Sequence, residues 1–565
     1  MTTIHPRDIP TRAVSALTAA GVFPLLARLF AARGVHSPVE LDLSFKALLP
    51  PGSLTGAREA AELLADAIEA GARMVIVADY DCDGATACAV GVRALRAFGA
   101  DVHYLVPDRV SLGYGLTPPM VELAARLDPE VLITVDNGIA SVEGIAQARA
   151  RGMSTVITDH HLPGETLPDA DVIVNPNQPG CGFPGKSLAG VGVMFYVMLA
   201  LRAELRERGA IESGREPNFA NLLDLVALGT VADVVKLDHN NRILVSQGLQ
   251  RIRAGNMQPG VRALFGVAGR DAARATAFDL GFALGPRLNA AGRISDMSLG
   301  IECLLADDAG QALKLARELD QLNHERREIE VEMQEAARQI LETFDADGDK
   351  CVGLTLFDPD WHPGVIGLVA SRIREKQHRP TIAFARGQDG ELKGSGRSIP
   401  GLHLRDALEL VTRRDPDLIL RFGGHAMAAG LTIREEKLPE FRIVFGEVAA
   451  SLLDPADLQR RIDTDGSLDA SEISLETARL LEREVWGQGF PPPVFNNIFH
   501  VERQRILKDR HLKLELLLGG TRFEAICFNC TEHVPGIIHA AYRLNVNEFK
   551  GISNVQLMLE HFGDT

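Results

Sequence analysis

The sequence is short of cysteine, of aromatic rings, of positive charge and of long apolar runs, and each shortage removes a class of protein. Seven cysteines (Cys82, Cys88, Cys181, Cys303, Cys351, Cys527 and Cys530) are scattered over 565 residues without framework spacing. That excludes a disulfide-stapled secreted scaffold and suits a reducing compartment. The one close pair, "CFNC" at 527 to 530, has no second pair to complete a tetrahedral zinc site, so all seven read as core or incidental. The longest apolar run, "VGVMFYVMLAL" at 191 to 201, is too short to span a bilayer, and the opening "MTTIHPRDIP" has no basic stretch leading into an apolar one. A cytoplasmic protein without a membrane span is expected. The net charge of −16 argues against non-specific binding of polyanions by the chain as a whole.

What is present reads as a multidomain globular enzyme. The hydrophobic content of 46% is ordinary, and the length is too great for one core. Between residues 74 and 176 the runs "MVIVADYD", "VHYLVPD", "VLITVDNG", "STVITDHH" and "DVIVNP" read as buried strands. Ala-rich helical patterns separate most of them, which indicates a parallel α/β sheet covered on both faces. Residues 1 to 70 look largely helical and are expected to pack beside this sheet, which belongs to a domain spanning 71 to 305. From Gln311 to Phe344 there is neither Gly nor Pro, and apolar residues recur every three or four positions. This predicts a helix roughly 50 Å long over that stretch, at 1.5 Å per residue, within a connecting segment bounded at 306–345. A second, smaller α/β unit is expected over 350–455, and short strand patterns from 460 to 565 suggest a small β-barrel or sandwich.

Two local surpluses of basic charge qualify the acidic total. From Gly367 to Ser398 seven Lys or Arg face three Asp or Glu, and from Val501 to Lys513 five face two. Each is either a place where a phosphate backbone is held or a solvated face.

The densest chemistry is "VIVADYDCDGATACAV" at 75 to 90, where Asp79, Asp81 and Asp83 end a predicted strand. Calcium is the first thought, because alternating carboxylates and a glycine open an EF-hand loop. The twelfth position is Val90, where a bidentate Glu is needed, and an apolar β-branched run precedes the loop instead of a helix. "DADGD" at 345 to 349 fails likewise, with Leu356 at its twelfth position, and reads as a solvated turn. Asp136 ends a further strand, and Asp159, His160 and His161 end another. A lone Asp in such a place is often a helix cap. Three clusters at the carboxyl ends of parallel strands should instead converge on one crevice. Carboxylates at close range resist joint ionisation unless a cation stands among them. Oxygen ligands with a single imidazole favour Mn²⁺ or Mg²⁺ over zinc, and the ligand count leaves room for two ions about 4 Å apart, as in phosphoester cleavage.

"DYDCDG", "VDNG" and "DHH" resemble the DHH phosphoesterase superfamily. "PDRVSLGYGL", "KSLAGVGVMFY", "DLVALGTVADVVKL", "LGPRLNAAGR", "LKGSGRS" and "FGGHAMAAG" narrow the resemblance to the RecJ family of single-strand-specific 5′→3′ exonucleases, over essentially the whole chain. The resemblance implies a parallel-sheet DHH domain, a long helix, a smaller α/β DHHA1 domain and a C-terminal OB-fold. It implies one metal on Asp79, Asp81 and Asp136, and another on Asp83, Asp136, His160 and an aspartate of the fourth motif, where Asp233 is preferred to Asp224. Catalytic roles fall to Asp81 and to His161, which would contact substrate or support the metal shell. A pocket for the DNA 5′ end would involve Arg109, Arg293, Ser395, Arg397 and His425. Arg503, Arg505, Lys508, Arg510 and Lys513 of the barrel would grip the incoming strand, although few aromatic residues lie there to stack on bases. Cys82 stands where relatives usually carry Ala.

The implied reaction threads single-stranded DNA through a cleft between the two α/β units and releases 5′ mononucleotides successively. Recombinational and mismatch repair, a single-strand-binding protein, a RecQ-type helicase and a monomeric state are further implications of the resemblance. Two alternatives are weighed against it. A small-substrate DHH phosphoesterase needs no extra OB-fold, and a non-catalytic replication scaffold would have lost metal ligands that are all present here.

Overall fold

The computed structural model describes residues 2–107, 113–211, 216–346, 351–549 and 551–563. It divides into two compact units, one comprising residues 7–323 and 465–565, the other residues 1–6 and 324–464.

The larger unit is built on a five-stranded, fully parallel sheet of β1 (Arg73–Ala78), β2 (Asp101–Leu105), β3 (Val131–Val135), β4 (Ser154–Thr158) and β5 (Val172–Val174). The spatial order is β2-β1-β3-β4-β5. These are the five apolar runs read from the sequence. Met74 to Ala78 are wholly buried, as expected of a strand covered on both faces. The chain leaves β1 towards one edge and returns on its other side as β3. The carboxyl ends of β1 and β3 therefore form the topological switch point, where open α/β sheets bind ligands.

Three helices fix that end of the sheet: α1 (Cys82–Ala97), α2 (Gly190–Glu207) and α3 (Leu223–Ala232). The apolar run at 191 to 201 is the buried stretch of α2. Among the described residues no helix is long and apolar enough to cross a membrane. A further helix, α4 (Gly285–Ile294), lies against the loop after β1, where a Cβ at Gly292 would stand 1.8 Å from the carbonyl oxygen of Tyr80.

The same unit holds a closed five-stranded barrel of Phe495–Leu507, His511–Leu518, Thr521–Cys527, Ile552–Gly563 and Ile537–Phe549, in that order around the wall. It is anchored by Arg33, which grips Asp465 bidentately at 2.8 and 2.9 Å, donates to the carbonyl of Pro491 and lies over the Trp486 ring.

The smaller unit has a mixed sheet. Leu354–Phe357 and Thr381–Arg386 run parallel, and Glu391–Arg397, Ala428–Arg434 and Arg421–Gly424 continue it antiparallel. The long helix α5 (Ala309–Ala346) occupies the predicted place, and the division between the units falls within it, between Asn323 and His324.

The N-terminal seventy residues differ from the helical expectation. Helices span Thr11–Ala19, Pro24–Ala31 and Ala57–Ala70, with short 3₁₀ turns between the last two. Thr3–Pro6 is a strand that pairs in parallel with Arg461–Thr464 and so belongs to the smaller unit. The four-residue segment "TIHP" ends in proline, and its partner lies more than 450 positions away, so no local pattern announces it.

Candidate metal centre

The loop after β1 carries the first carboxylates. The amide of Asp79 still bonds to the Val135 carbonyl, continuing the ladder to β3, and Asp79 is buried. Asp81 caps α1, its Oδ1 accepting from the amides of Asp83 and Gly84 at 2.9 and 3.0 Å. Asp83 lies in the first turn of that helix, and its two oxygens accept from the first amides of α2, Gly190 at 2.6 Å and Val191 at 2.9 Å. A carboxylate at a helix N-terminus is a favourable charge placement.

Asp136 ends β3 with φ +61°, a left-handed backbone that Asp tolerates better than most residues. Asn137 holds it there, its Nδ2 donating to the carbonyls of Val77 and Val135 and so stapling β1 to β3. Gly190 is obligatory opposite: a Cβ would come 2.6 Å from Asp136.

After β4, His160 points Nε2 at three carboxylates: Asp136 Oδ1 at 3.0 Å, Asp233 Oδ2 at 3.5 Å and Asp83 Oδ2 at 3.9 Å. Asp233 is the C-cap of α3, which delivers it to the cluster. Asp224 sits at the other end of that helix, roughly 13 Å away at 1.5 Å per residue, and accepts instead from the Gln258 amide at 2.6 Å. The fourth-motif aspartate at the cluster is therefore Asp233.

Three overlapping sets place their ligand atoms within 4.8 Å of one another: Asp79, Asp81 and Asp136; Asp83, His160 and Asp233; and Asp136, His160 and His161. Burial, then the neighbouring Asp81, push Asp83 up to about 7, against the pull of the Val191 and Gly190 amides. Burial and the Asp83 charge raise Asp136 and Asp233 well above the ordinary carboxylate range. Carboxylates that crowd out one another's charge away from water need a counter-cation, and this donor set of five carboxylates and an imidazole fits a hard divalent ion.

Sequence reasoning left Asp159 without a role. It is buried, and its Oδ1 accepts from the amides of His160 and His161 and lies 2.7 Å from His161 Nδ1, while Oδ2 accepts from Ile139. Burial would raise its pKa, but the bond with His161, the two imidazoles and the Ile139 amide hold it below the usual carboxylate value. For His161, burial opposes the charge and the bond to Asp159 outweighs it, holding the imidazole up at about 9. Tyr114 adds its hydroxyl, 3.2 Å from His161 Nδ1 and donating to the Asp136 carbonyl. Asn289 accepts the Cys82 amide at 2.8 Å, and Asn175 and Asn177 donate to the carbonyls of His161 and His160. Tyr114 and Asn289 lay inside phrases already singled out, "PDRVSLGYGL" and "LGPRLNAAGR", but nothing in those phrases separates a contact residue from a turn residue.

The other predicted contacts belong to both units. Arg109 lies outside the described residues. Arg293 is in the last turn of α4, half-buried. Ser395 and Arg397 belong to the smaller unit, two positions apart on one strand, with Arg397 Nη1 donating to Ser395 Oγ at 3.0 Å. Both approach Gly367, near the start of the helix Ile366–Gln377, where a Cβ would be 2.9 Å from either side chain. His425 occupies the turn between Arg421–Gly424 and Ala428–Arg434, its amide bonded to the Ala428 carbonyl.

On the barrel, Arg505, Lys508, Arg510 and Lys513 all lie in the first hairpin or its turn. Their charge is partly answered. Lys513 pairs with Glu524 at 3.0 Å, Arg503 with Glu515 at 3.7 Å, and Arg510 donates to Asn529. The basic surplus counted along the sequence is thus weaker on the surface.

Family profiles match three stretches of the chain: "DHH family, N-terminal domain" at residues 73–230, "DHHA1 domain" at 348–451 and "RecJ OB domain" at 464–561. The single-stranded-DNA-specific exonuclease RecJ of Dickeya dadantii is 52% identical over 549 residues, 95% of either chain. That of Escherichia coli is 50% identical over 550 residues, again 95% of each. Among solved structures, RecJ from Thermus thermophilus in complex with Mn²⁺ superposes with a TM-score of 0.83 at 30% identity, covering 100% of this chain and 80% of that one. With half its residues shared across nearly the full length of named relatives and the same overall fold as a solved RecJ structure, the chain belongs to the RecJ family.

Proposed function

We propose that the protein is a metal-dependent exonuclease that degrades single-stranded DNA from the 5′ end to mononucleotides. The observation that carries the reading is the convergence of Asp79, Asp81, Asp83, Asp136, His160 and Asp233 at the switch point of the sheet, in a chain half identical to exonucleases of that name. Mn²⁺ or Mg²⁺ would be held by these residues, Asp79, Asp81 and Asp136 serving one ion and Asp83, Asp136, His160 and Asp233 a second. Divalent cations in such a site lower the pKa of water and offset charge on a phosphate.

The chain's own groups do the rest. Asp81, fixed by its capping bonds, is the carboxylate beside the attacking water. His161, kept charged by Asp159, donates to a phosphate oxygen and stabilises charge that grows in the transition state. Arg397 with Ser395 and His425 in the smaller unit, and Arg109 and Arg293 in the larger, are each candidate contacts for the terminal phosphate, since guanidinium grips phosphate bidentately. Arg505, Lys508, Arg510 and Lys513 hold the strand on the barrel.

The functional divisions follow the boundaries 71–305, 306–345, 350–455 and 460–565. Recombinational and mismatch repair is the setting the resemblance supports, with a single-strand-binding protein and a RecQ-type helicase as partners of a cytoplasmic monomer.

The test uses the purified protein and an Asp136→Ala variant with 3′-labelled single-stranded and duplex oligonucleotides, in Mn²⁺, Mg²⁺ or chelator. Shortening from the 5′ end of single strands alone, dependent on metal and absent in the variant, is the expected result. Binding without cutting under every metal would turn the assignment to a scaffold.

A further inference from the structure

The two cysteines of "CFNC" have no part in the carboxylate centre. Cys527 is the last residue of the barrel strand Thr521–Cys527, and Cys530 follows after a two-residue turn. Asn529 in that turn has φ +54°, a left-handed backbone that Asn accepts more readily than most residues, and it doubles the chain back. The two thiols are hydrogen-bonded to each other, and Cys530 donates on to the Glu532 carbonyl at 3.9 Å. Both cysteines are free and half-buried, so a small solute reaches them. The other five are placed differently. Cys82, Cys88, Cys181 and Cys303 are buried, and Cys351 bonds to the Gly353 carbonyl at 2.9 Å.

Neighbouring groups hold the turn. The Asn529 amide donates to Nδ1 of His511 at 3.0 Å, and Nε of Arg510 donates to the Asn529 side-chain oxygen at 2.7 Å. Phe528 meets the His511 ring edge-on, with centroids 5.1 Å apart. A turn fixed in this way keeps the two sulfur atoms near each other, which is the condition for a bond of about 2.05 Å between them. Metal binding is not the use of the pair. A tetrahedral site needs two further ligands, and among the described residues every group of three or more potential ligands lies at the carboxylate centre. What remains is the chemistry of a dithiol. Burial, then the neighbouring Cys530, push the Cys527 thiol up to about 12. Cys527 therefore keeps its proton and donates it in a hydrogen bond that stabilises a thiolate on Cys530, the reactive form of the group.

We propose that Cys527 and Cys530 are a modification site for hydroperoxides, at which oxidation closes a reversible disulfide across the turn. The Cys530 thiolate attacks the peroxide, the O–O bond breaks, and a sulfenic acid forms while the leaving oxygen takes up the proton that the thiol had released. The Cys527 sulfur then attacks the sulfenic sulfur. The S–O bond breaks, and the departing hydroxide leaves as water with the Cys527 proton. The two sulfur atoms together lose two electrons, and the peroxide accepts them. A dithiol reductant reopens the bond by exchange, as suits a transient disulfide in a reducing compartment.

The experiment treats the reduced full-length protein with a small excess of hydrogen peroxide in chelator, blocks the remaining thiols with N-ethylmaleimide under denaturing conditions, and maps them by mass spectrometry. Two of the seven thiols are expected to escape the label. The peptide spanning both should be lighter by two hydrogens, and dithiothreitol should restore full labelling. In Cys527→Ser the reaction should stop at a sulfenic acid on Cys530 that dimedone traps, and in Cys530→Ser, Cys527 should take the label as in untreated protein. The disulfide is read in the parent protein itself, so it does not depend on either variant folding. Seven thiols still labelled, a bond between two molecules, a bond to Cys351, or a sulfinic acid on Cys530 in place of a bond would each overturn the proposal.

Discussion

Nδ1 of His161 lies 2.7 Å from Oδ1 of Asp159, and the same carboxylate takes the amides of His160, His161 and Ile139. Asp159 thus orients both histidines of the "DHH" triplet. Asp159→Asn keeps the volume and removes the charge that orients them. A loss of about 10- to 100-fold in metal affinity or activity is expected, the usual cost of removing such a support. Titration with Mn²⁺ alongside kcat measurements checks it, and unchanged values for both would deny Asp159 this role.

Metal should also stabilise the fold. Repulsion within the cluster is relieved when a cation binds the native state, so saturating Mn²⁺ at a hundredfold excess over Kd should add about 2.7 kcal/mol. Thermal melts with metal and with chelator would show a separation that vanishes in Asp136→Ala. An equal metal shift in that variant would place the ion elsewhere.

Gly190→Ala is expected to damage stability and activity together. The added Cβ would stand 2.6 Å from Asp136, on the amide that holds Asp83. Ala at Gly182, where a Cβ meets nothing within 4 Å, is the control. Activity equal to the parent in Gly190→Ala would show that the helix start can shift without cost.

Asp224 gives a pH signature of its own. Burial raises its carboxyl to about 6, against the Gln258 amide. A raised carboxyl contributes stability below its unfolded value near 3.8 and loses it as pH climbs through 6. Asp224→Asn cannot ionise, so its stability relative to the parent should improve from pH 4 to pH 8, by about 3 kcal/mol at most. A difference that stays flat across that range would show Asp224 to be ionised in the fold at little cost.

Arg33 and Asp465 have side chains 1% exposed and join the helices before the sheet to the barrel. Arg33→Ala removes the bidentate partner of a buried carboxylate, leaving it Arg7 at 3.9 Å and the Val494 amide, and should cost about 3 kcal/mol in a denaturant titration. A loss below about 1 kcal/mol, typical of exposed pairs, would show water reaching Asp465.

Legibility in the sequence followed the range of the forces involved. β1 to β5 are continuous buried apolar runs, and α5 is uninterrupted by Gly or Pro from Gln311 to Phe344, so both could be read locally. Asp79, Asp136 and His160 were legible because each ends such a run. Asp159 was not, since a supporting carboxylate and a ligating one look alike until their partners are known. The Thr3–Pro6 strand and the pairing of Lys513 with Glu524 depend on neighbours supplied by other segments. The π-turn at Leu280–Leu284 follows from Pro286, a proline that the sequence displays but that also fits an ordinary helix start.

Asp83 spends both its oxygens on the first two amides of α2, a helix buried for most of its length in the main core. Cutting power and a finished core are therefore one event. A molecule that has not yet seated that helix lacks the two amides that hold Asp83 in the cluster, so the ligand set is completed only as the core closes.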